Sequence, residues 1–161
     1  MSENANRTTW WVCDKCGGRI NSERDGWVEW LNVPQSNSEW AARGLRLVHH
    51  TQASPLRDDG GCQYDEKREF QNGRATVADD SLEDYLGPDG LMQLLAMLSE
   101  GQLPKSEVIE MIQRLHIPGY EEARRYMPRA IAEGSVEPNL PKGFHWQSDL
   151  ERVIAEYGDK S

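Results

Sequence analysis

The sequence has no long apolar run. The longest candidate, residues 90–98, is about half of the roughly 18 residues that a membrane-spanning helix needs. The first nine residues also lack the basic start and apolar middle of a signal peptide. We therefore expect a cytoplasmic protein without a membrane partner, and in that compartment a close pair of cysteines more often binds metal than forms a disulfide.

Several catalytic motifs are also missing. The chain contains no Gly-rich phosphate loop, no nucleophile elbow and no His-Glu-x-x-His pair. The acidic segment at 79–90 lacks the alternating carboxylates of an EF-hand loop, so a solvated helix start is the better interpretation. The sequence therefore gives no sign of an enzyme.

Basic residues are scarce in the second half of the chain. Residues 1–78 carry 10 Lys and Arg against 11 Asp and Glu, whereas residues 79–161 carry 8 against 16. An acidic surface of this kind repels phosphates and disfavours non-specific binding of nucleic acid. It is compatible with plain solubility or with a basic protein partner.

The first half of the chain predicts a small antiparallel sheet. Residues 26–31 and 44–50 alternate between apolar and polar positions, as half-buried strands do. Turn formers separate them, and the Asn-Gly pair within 71–74 is typical of a tight hairpin. We predict a zinc-binding, β-rich domain over residues 1–78.

The second half predicts an α-helical bundle over residues 79–161. Apolar residues recur at helical spacing, with proline near several starts and glycine after the ends. Pro128 lies inside the third segment and predicts a kink or two shorter helices. The four predicted helical segments are 87–101, 103–119, 120–134 and 148–158. The fold class expected for the whole chain is α+β.

Cys13 and Cys16 form a Cys-x-x-Cys pair followed by two glycines. In a thioredoxin-like dithiol a helix would begin at the cysteines, but Gly17 and Gly18 are poor residues to continue one. A c-type haem site would need histidine where Gly17 stands. A zinc knuckle instead benefits from glycine after the second thiolate, because that position takes a positive φ. The pattern therefore indicates a metal site.

The segment that contains Cys13, Cys16 and Gly17, followed by a polar turn and the strand at 26–31, resembles the rubredoxin-type knuckle of zinc-ribbon and related treble-clef domains. The resemblance covers about residues 10–65. It implies one structural zinc ion held between two knuckles or hairpins, and it implies no activity, because such domains serve many purposes.

A closed zinc site needs four ligands, and this sequence has only one further cysteine, Cys62. The fourth ligand must then be a histidine or a carboxylate. His49 and His50 end the strand about a dozen residues before Cys62, and adjacent strand residues point to opposite faces, so one site uses one of them. We prefer His49, which shares a face with Leu45 and Leu47, and keep His50 as the alternative. Three metal-free cysteines, iron, or a catalytic zinc with an open position remain as other interpretations.

These observations favour a non-enzymatic adaptor or regulatory protein, with one structural Zn²⁺ per chain and a surface for a protein partner. The alternative is a nucleic-acid-associated regulator that uses a helix-turn-helix-like element at 105–131 or the basic residues of the zinc module, Arg19, Arg24, Arg43 and Arg46. A zinc hydrolase is the third hypothesis. The sequence leaves the partner and the oligomeric state undetermined.

Overall fold

The computed structural model describes residues 8–159 and has a mixed α+β architecture. The fold class predicted from the sequence is confirmed. The first seven residues, which carry most of the segment tested for a signal peptide, lie outside the described residues. No helix in the described part has both the length and the apolar character that a membrane crossing requires.

Two antiparallel sheets lie in the first part of the chain. Strands β1 (Trp11–Val12) and β2 (Arg19–Ile20) form a short hairpin. The second sheet has the order β4-β3-β5, with β3 (Gly26–Pro34) between β4 (Trp40–His49) and β5 (Thr76–Ser81). The sequence predicts β3 and β4, and both are present.

Strand β3 lies in the centre of its sheet, and more of it is buried than the sequence predicts. The alternation at 26–31 predicts one covered face, but Val28 and its neighbour Glu29 are both fully buried. Glu29 lies opposite Arg46 on β4 and opposite Asp79 on β5. The pairing of β3 with β4 changes register between Glu29 and Leu31, which marks a bulge near Trp30.

The turn or loop predicted at 71–74 is wrong, because most of it belongs to a helix. Residues Glu66–Gly73 form helix α1, which has Asp65 as its N-cap. Arg74 follows in the left-handed conformation and caps its end. The Asn-Gly pair therefore forms the last turn of a helix, and Arg74 takes the left-handed position that glycine often occupies.

The remaining helices follow the predicted segments closely. Pro128 separates two short helices, as predicted, and stands in the first turn of the second. The helices are α2 (Gly87–Glu100), α3 (Lys105–His116), α4 (Tyr120–Ala123), α5 (Met127–Ala132) and α6 (Gln147–Tyr157).

The packing divides the chain into two compact units, residues 9–112 and the residues from Gln113 onward. In the first, Ala42, Leu103 and Val108 form a buried cluster between the sheet and the helices. In the second, a larger cluster around Ala123, Leu150 and Val153 joins α4, α5 and α6. Residue 78, the domain boundary predicted from the sequence, lies within β5. The predicted boundary means that the two parts of the chain fold independently, and this stays a prediction.

Candidate metal centre

The two cysteines of the Cys-x-x-Cys pair lie in a tight turn between β1 and β2. The amide of Cys13 donates to the carbonyl of Gly18, and the amide of Gly17 donates to the carbonyl of Cys13, both at 2.9 Å. Gly17 has a φ of +75°, which is the conformation that the sequence predicts for it. The amide of Gly18 then donates to Cys16 Sγ at 3.4 Å. The turn therefore aims an amide hydrogen at the Cys16 sulfur, as a metal-binding knuckle does.

Asp14 fixes this turn against β4. Its amide donates to the carbonyl of Leu47, and its carboxylate accepts from the amide of Leu47, each at 2.8 Å. Leu47 stands two residues before His49 on the same face of β4. These two hydrogen bonds therefore set the distance between the turn and the histidine.

His49 presents Nδ1 to the cysteines. Its other nitrogen, Nε2, lies 2.8 Å from the carbonyl oxygen of Arg19. A carbonyl oxygen only accepts, so Nε2 carries the hydrogen and Nδ1 of the neutral ring carries a lone pair. Nδ1 lies 3.4 Å from Cys16 Sγ and 3.9 Å from Cys62 Sγ. A backbone acceptor behind a histidine is the usual way to fix the tautomer of a metal ligand.

Cys62 comes from the loop between β4 and α1 and is fully buried. The hydroxyl of buried Ser54 lies 2.9 Å from Cys62 Sγ. Ser54 Oγ also accepts from the amide of Leu56, and its own hydrogen can still be donated to a thiolate. When Cys62 is a thiolate, this hydroxyl can therefore stabilise it.

An ion pair with a buried carboxylate holds the backbone of Cys62 in place. Arg46 donates from Nη2 to the Cys62 carbonyl at 3.1 Å and from Nε to Glu29 at 2.7 Å. Glu29 also accepts from the amide of Tyr64 at 3.0 Å. Burial raises the pKa of the Glu29 carboxyl, while the Tyr64 amide and the Arg46 guanidinium oppose that shift. Sequence reasoning missed this pair, although Glu29 and Arg46 are both polar residues within the two predicted strands.

The four donor atoms of Cys13, Cys16, His49 and Cys62 lie within 4.8 Å of one another. A tetrahedral zinc ion with bonds of about 2.3 Å to sulfur and about 2.0–2.1 Å to nitrogen holds sulfur and nitrogen ligands about 3.5–3.6 Å apart. The distances from His49 Nδ1 to the sulfurs of Cys16 and Cys62, 3.4 and 3.9 Å, bracket this value. The residues thus fit a metal ion of this size, and the group could hold one.

The acidities of the two buried thiols differ. Burial raises the pKa of Cys13, but amide hydrogen bonds from Cys16, His49 and Lys15 outweigh that effect and lower it to about 7. Burial raises the pKa of Cys62 to about 11, helped by the nearby Cys13 and opposed by Ser54. Of these two thiols, Cys13 therefore loses its proton at the lower pH. A bound divalent cation is what makes several adjacent thiolates stable together.

Other candidate residues lie outside this group. His50 accepts from the amide of Gln52 and packs edge-on against Trp27, so the structure brings His49 and not His50 to the cysteines. Within residues 8–159, no other set of three or more Cys, His, Asp or Glu side chains is close enough to hold a metal ion. His116 and His145 are therefore not brought into such a set.

Three of the four basic residues considered for nucleic-acid contact in the zinc module already contact other side chains. Arg46 is bound to Glu29, Arg24 lies 3.7 Å from Glu83, and the Arg19 guanidinium lies 4.0 Å from the centre of the Trp10 ring. In the helix-turn-helix-like element, the second helix is interrupted between α4 and α5. Glu121 in α4 is buried and takes two hydrogen bonds from Arg114.

Comparison with known proteins gives no match, whether with protein-family models, curated proteins or solved structures.

Proposed function

We propose that Cys13, Cys16, His49 and Cys62 bind one zinc ion per chain and that this ion is structural. The observation that carries the proposal is the convergence of four soft donor atoms, with the histidine tautomer already set by the Arg19 carbonyl. Three thiolates and one imidazole are a common donor set for structural zinc. Four protein ligands also complete the tetrahedron, which leaves no position for a catalytic water.

The bound zinc would join three distant parts of the chain. Its ligands come from the turn at Cys13 and Cys16, the end of β4 at His49, and the loop at Cys62. Structural zinc contributes an apparent free energy of roughly 10–16 kcal/mol in small domains, most of which is folding energy. The role of the ion is therefore to fix the β4–α1 loop and the β1–β2 hairpin on the sheet.

We further propose that the protein is a non-enzymatic adaptor or regulatory protein. Several large apolar side chains are exposed, and where such side chains adjoin on one element, as Met92 and Leu95 do on α2, they can form a surface that meets another protein. They are Trp40, Phe70, Met92, Leu95, Ile117, Phe144 and Trp146. The net charge of −9 favours a basic protein over nucleic acid as the partner.

Elemental analysis of untagged, purified protein tests the metal. We expect one zinc per chain and no stoichiometric iron, and we expect the Cys62→Ser variant to lose the zinc. Cobalt substitution provides a second test, because tetrahedral Co²⁺ with thiolate ligands has characteristic visible absorption. Protein that contains no thiolate-bound metal would refute the proposal.

A further inference from the structure

Helix α2 has apolar side chains on two opposite sides. Leu94 is fully buried on one side, and Gly90 lies so close to the backbone of Tyr85 that a side chain could not fit there. On the other side Met92 is 66% exposed and Leu95 is 44% exposed. A helix that is apolar on both sides is normally covered on both.

The exposed side of α2 has a defined shape. At 100° per residue, Met92, Leu95 and Ala96 lie within one stripe, and exposed Ser99 continues it toward the C-terminus. None of these four side chains is charged. The stripe therefore offers the apolar ridge, with neighbours three and four residues apart, that a second helix packs against. We call it the α2 stripe.

The chain segment that contains the α2 stripe carries charges of one sign. Residues 75–104 contain six carboxylates and no Lys or Arg. Asp89 and Glu100 lie along the same flank of the stripe and are about 16 Å apart at 1.5 Å per residue. Both are exposed, and in the part of the chain that the structure describes neither takes part in an ion pair.

We infer that the α2 stripe is the docking site for an amphipathic helix of a basic protein partner. Such a helix would place an apolar ridge on Met92 and Leu95, and Lys or Arg residues about three turns apart opposite Asp89 and Glu100. This inference rests on the proposed adaptor function and specifies the chemistry of its partner.

A second copy of this chain fits the α2 stripe less well. In an antiparallel two-fold helix pair the equivalent flanks meet, so Asp89 of one copy comes close to Glu100 of the other. Like charges at close range destabilise such a pair. The charge pattern therefore favours a partner of opposite sign.

A labelled synthetic helix of about 18 residues provides the test. Its sequence carries a leucine ridge, with two lysines on one flank at the separation of Asp89 and Glu100. Two control peptides replace both lysines with glutamate, or keep the composition and scramble the ridge. Fluorescence anisotropy gives the Kd of each peptide for the full zinc-loaded chain.

We expect the lysine peptide to bind at least about tenfold more tightly than either control. The double variant Met92→Gln/Leu95→Gln should weaken its binding by at least about tenfold, and Asp89→Asn/Glu100→Gln should remove the preference for lysine over glutamate. Glu66→Gln changes an exposed residue of α1 in the same unit and should leave binding unchanged. Circular dichroism and zinc content check that each variant is folded.

Equal binding of the scrambled peptide, or binding that survives Met92→Gln/Leu95→Gln, would overturn the inference. So would a dimer in sedimentation experiments that this double variant abolishes, because the stripe would then be occupied by a second copy. Protein that carries zinc but binds no peptide would refute the docking site alone. Protein without zinc would instead refute the proposed metal centre, whatever its peptide binding.

Discussion

The region around the candidate metal centre, residues 10–64, and the helical unit from Gln113 onward are stabilised by different kinds of contact. In the helical unit seven buried residues form one cluster, and all seven are apolar. Around the metal centre, buried apolar side chains such as Ile20, Val28 and Leu47 lie beside a second buried group that is polar or sulfur-containing: Cys13, Glu29, His49, Ser54 and Cys62. Apolar packing is insensitive to metal, whereas adjacent buried thiolates need a cation. The comparison therefore predicts that one region depends on zinc and the other does not.

The largest expected effect is the loss of zinc itself. A strong chelator, or Cys13→Ser, should unfold residues 10–64 while the helical signal of the unit from Gln113 onward survives, because the cluster in that unit contains no metal ligand. Tryptophan fluorescence reports on the first region, since five of the six tryptophans precede residue 78, and far-UV circular dichroism reports on the helices. If both signals disappear together, the chain is one cooperative unit and the domain boundary at 78 must be abandoned.

The next effect separates the two histidines. His49→Ala removes a proposed ligand and should lower zinc affinity by more than the roughly 100-fold that the loss of an outer hydrogen bond costs. His50→Ala removes only the contacts with Gln52 and Trp27 and should leave zinc affinity nearly unchanged. Competition with a chromophoric chelator measures both affinities. Equal losses would contradict the assignment of Nδ1 of His49 to the metal.

An ion pair with a buried carboxylate is present in each region, and the two can be compared directly. Glu29→Gln breaks the pair with Arg46, and Glu121→Gln breaks the pair with Arg114. Breaking a buried pair costs about 3–5 kcal/mol of unfolding free energy, so each variant should be destabilised in denaturant titrations.

Zinc affinity distinguishes these two variants. Glu29→Gln should also weaken zinc binding by about 10–100-fold, because Arg46 then no longer fixes the Cys62 carbonyl. Glu121→Gln should leave zinc affinity unchanged. A similar loss of zinc in both variants would mean that Glu29 acts only through general stability.

The smallest effect concerns two glycines with nearly the same backbone conformation. Gly17 and Gly134 have φ values of +75° and +77°, and a methyl group at either would meet no atom within 4 Å. Alanine at each should therefore cost about 1–2 kcal/mol of backbone strain and little else. Only Gly17→Ala should accelerate zinc release, as measured by stopped-flow transfer to a chelator. Faster release from Gly134→Ala would show that the helical unit is coupled to the metal centre.

Much of the candidate site could be predicted because its signals are local. Cys13, Cys16 and Gly17 stand within five residues, and alternation along β4 is enough to prefer His49 over His50. The long helices α2, α3 and α6 likewise carry regular apolar stripes. Each of these predictions depends on the spacing of neighbouring residues, which a single sequence records directly.

The features that the sequence does not predict depend on distant contacts. Strand β5 contains two aspartates and becomes a strand only because β3 offers it an edge. Helix α1 has no buried residue, so its apolar periodicity gives no signal. Glu29 has the polarity of a surface residue, and it is buried because Arg46 and the loop at Tyr64 cover it. Tertiary context decides all three.

The central position of β3 has a consequence for the order of events during synthesis. The last proposed ligand, Cys62, is made before β5 (Thr76–Ser81), so the metal can be bound while β3 still has an unpaired edge. An unpaired edge beside apolar side chains is a template for aggregation. In nascent chains that acquire zinc late, this edge would be exposed while the end of β4 is not yet held by the metal. We therefore expect zinc supply during expression to determine the yield of soluble protein.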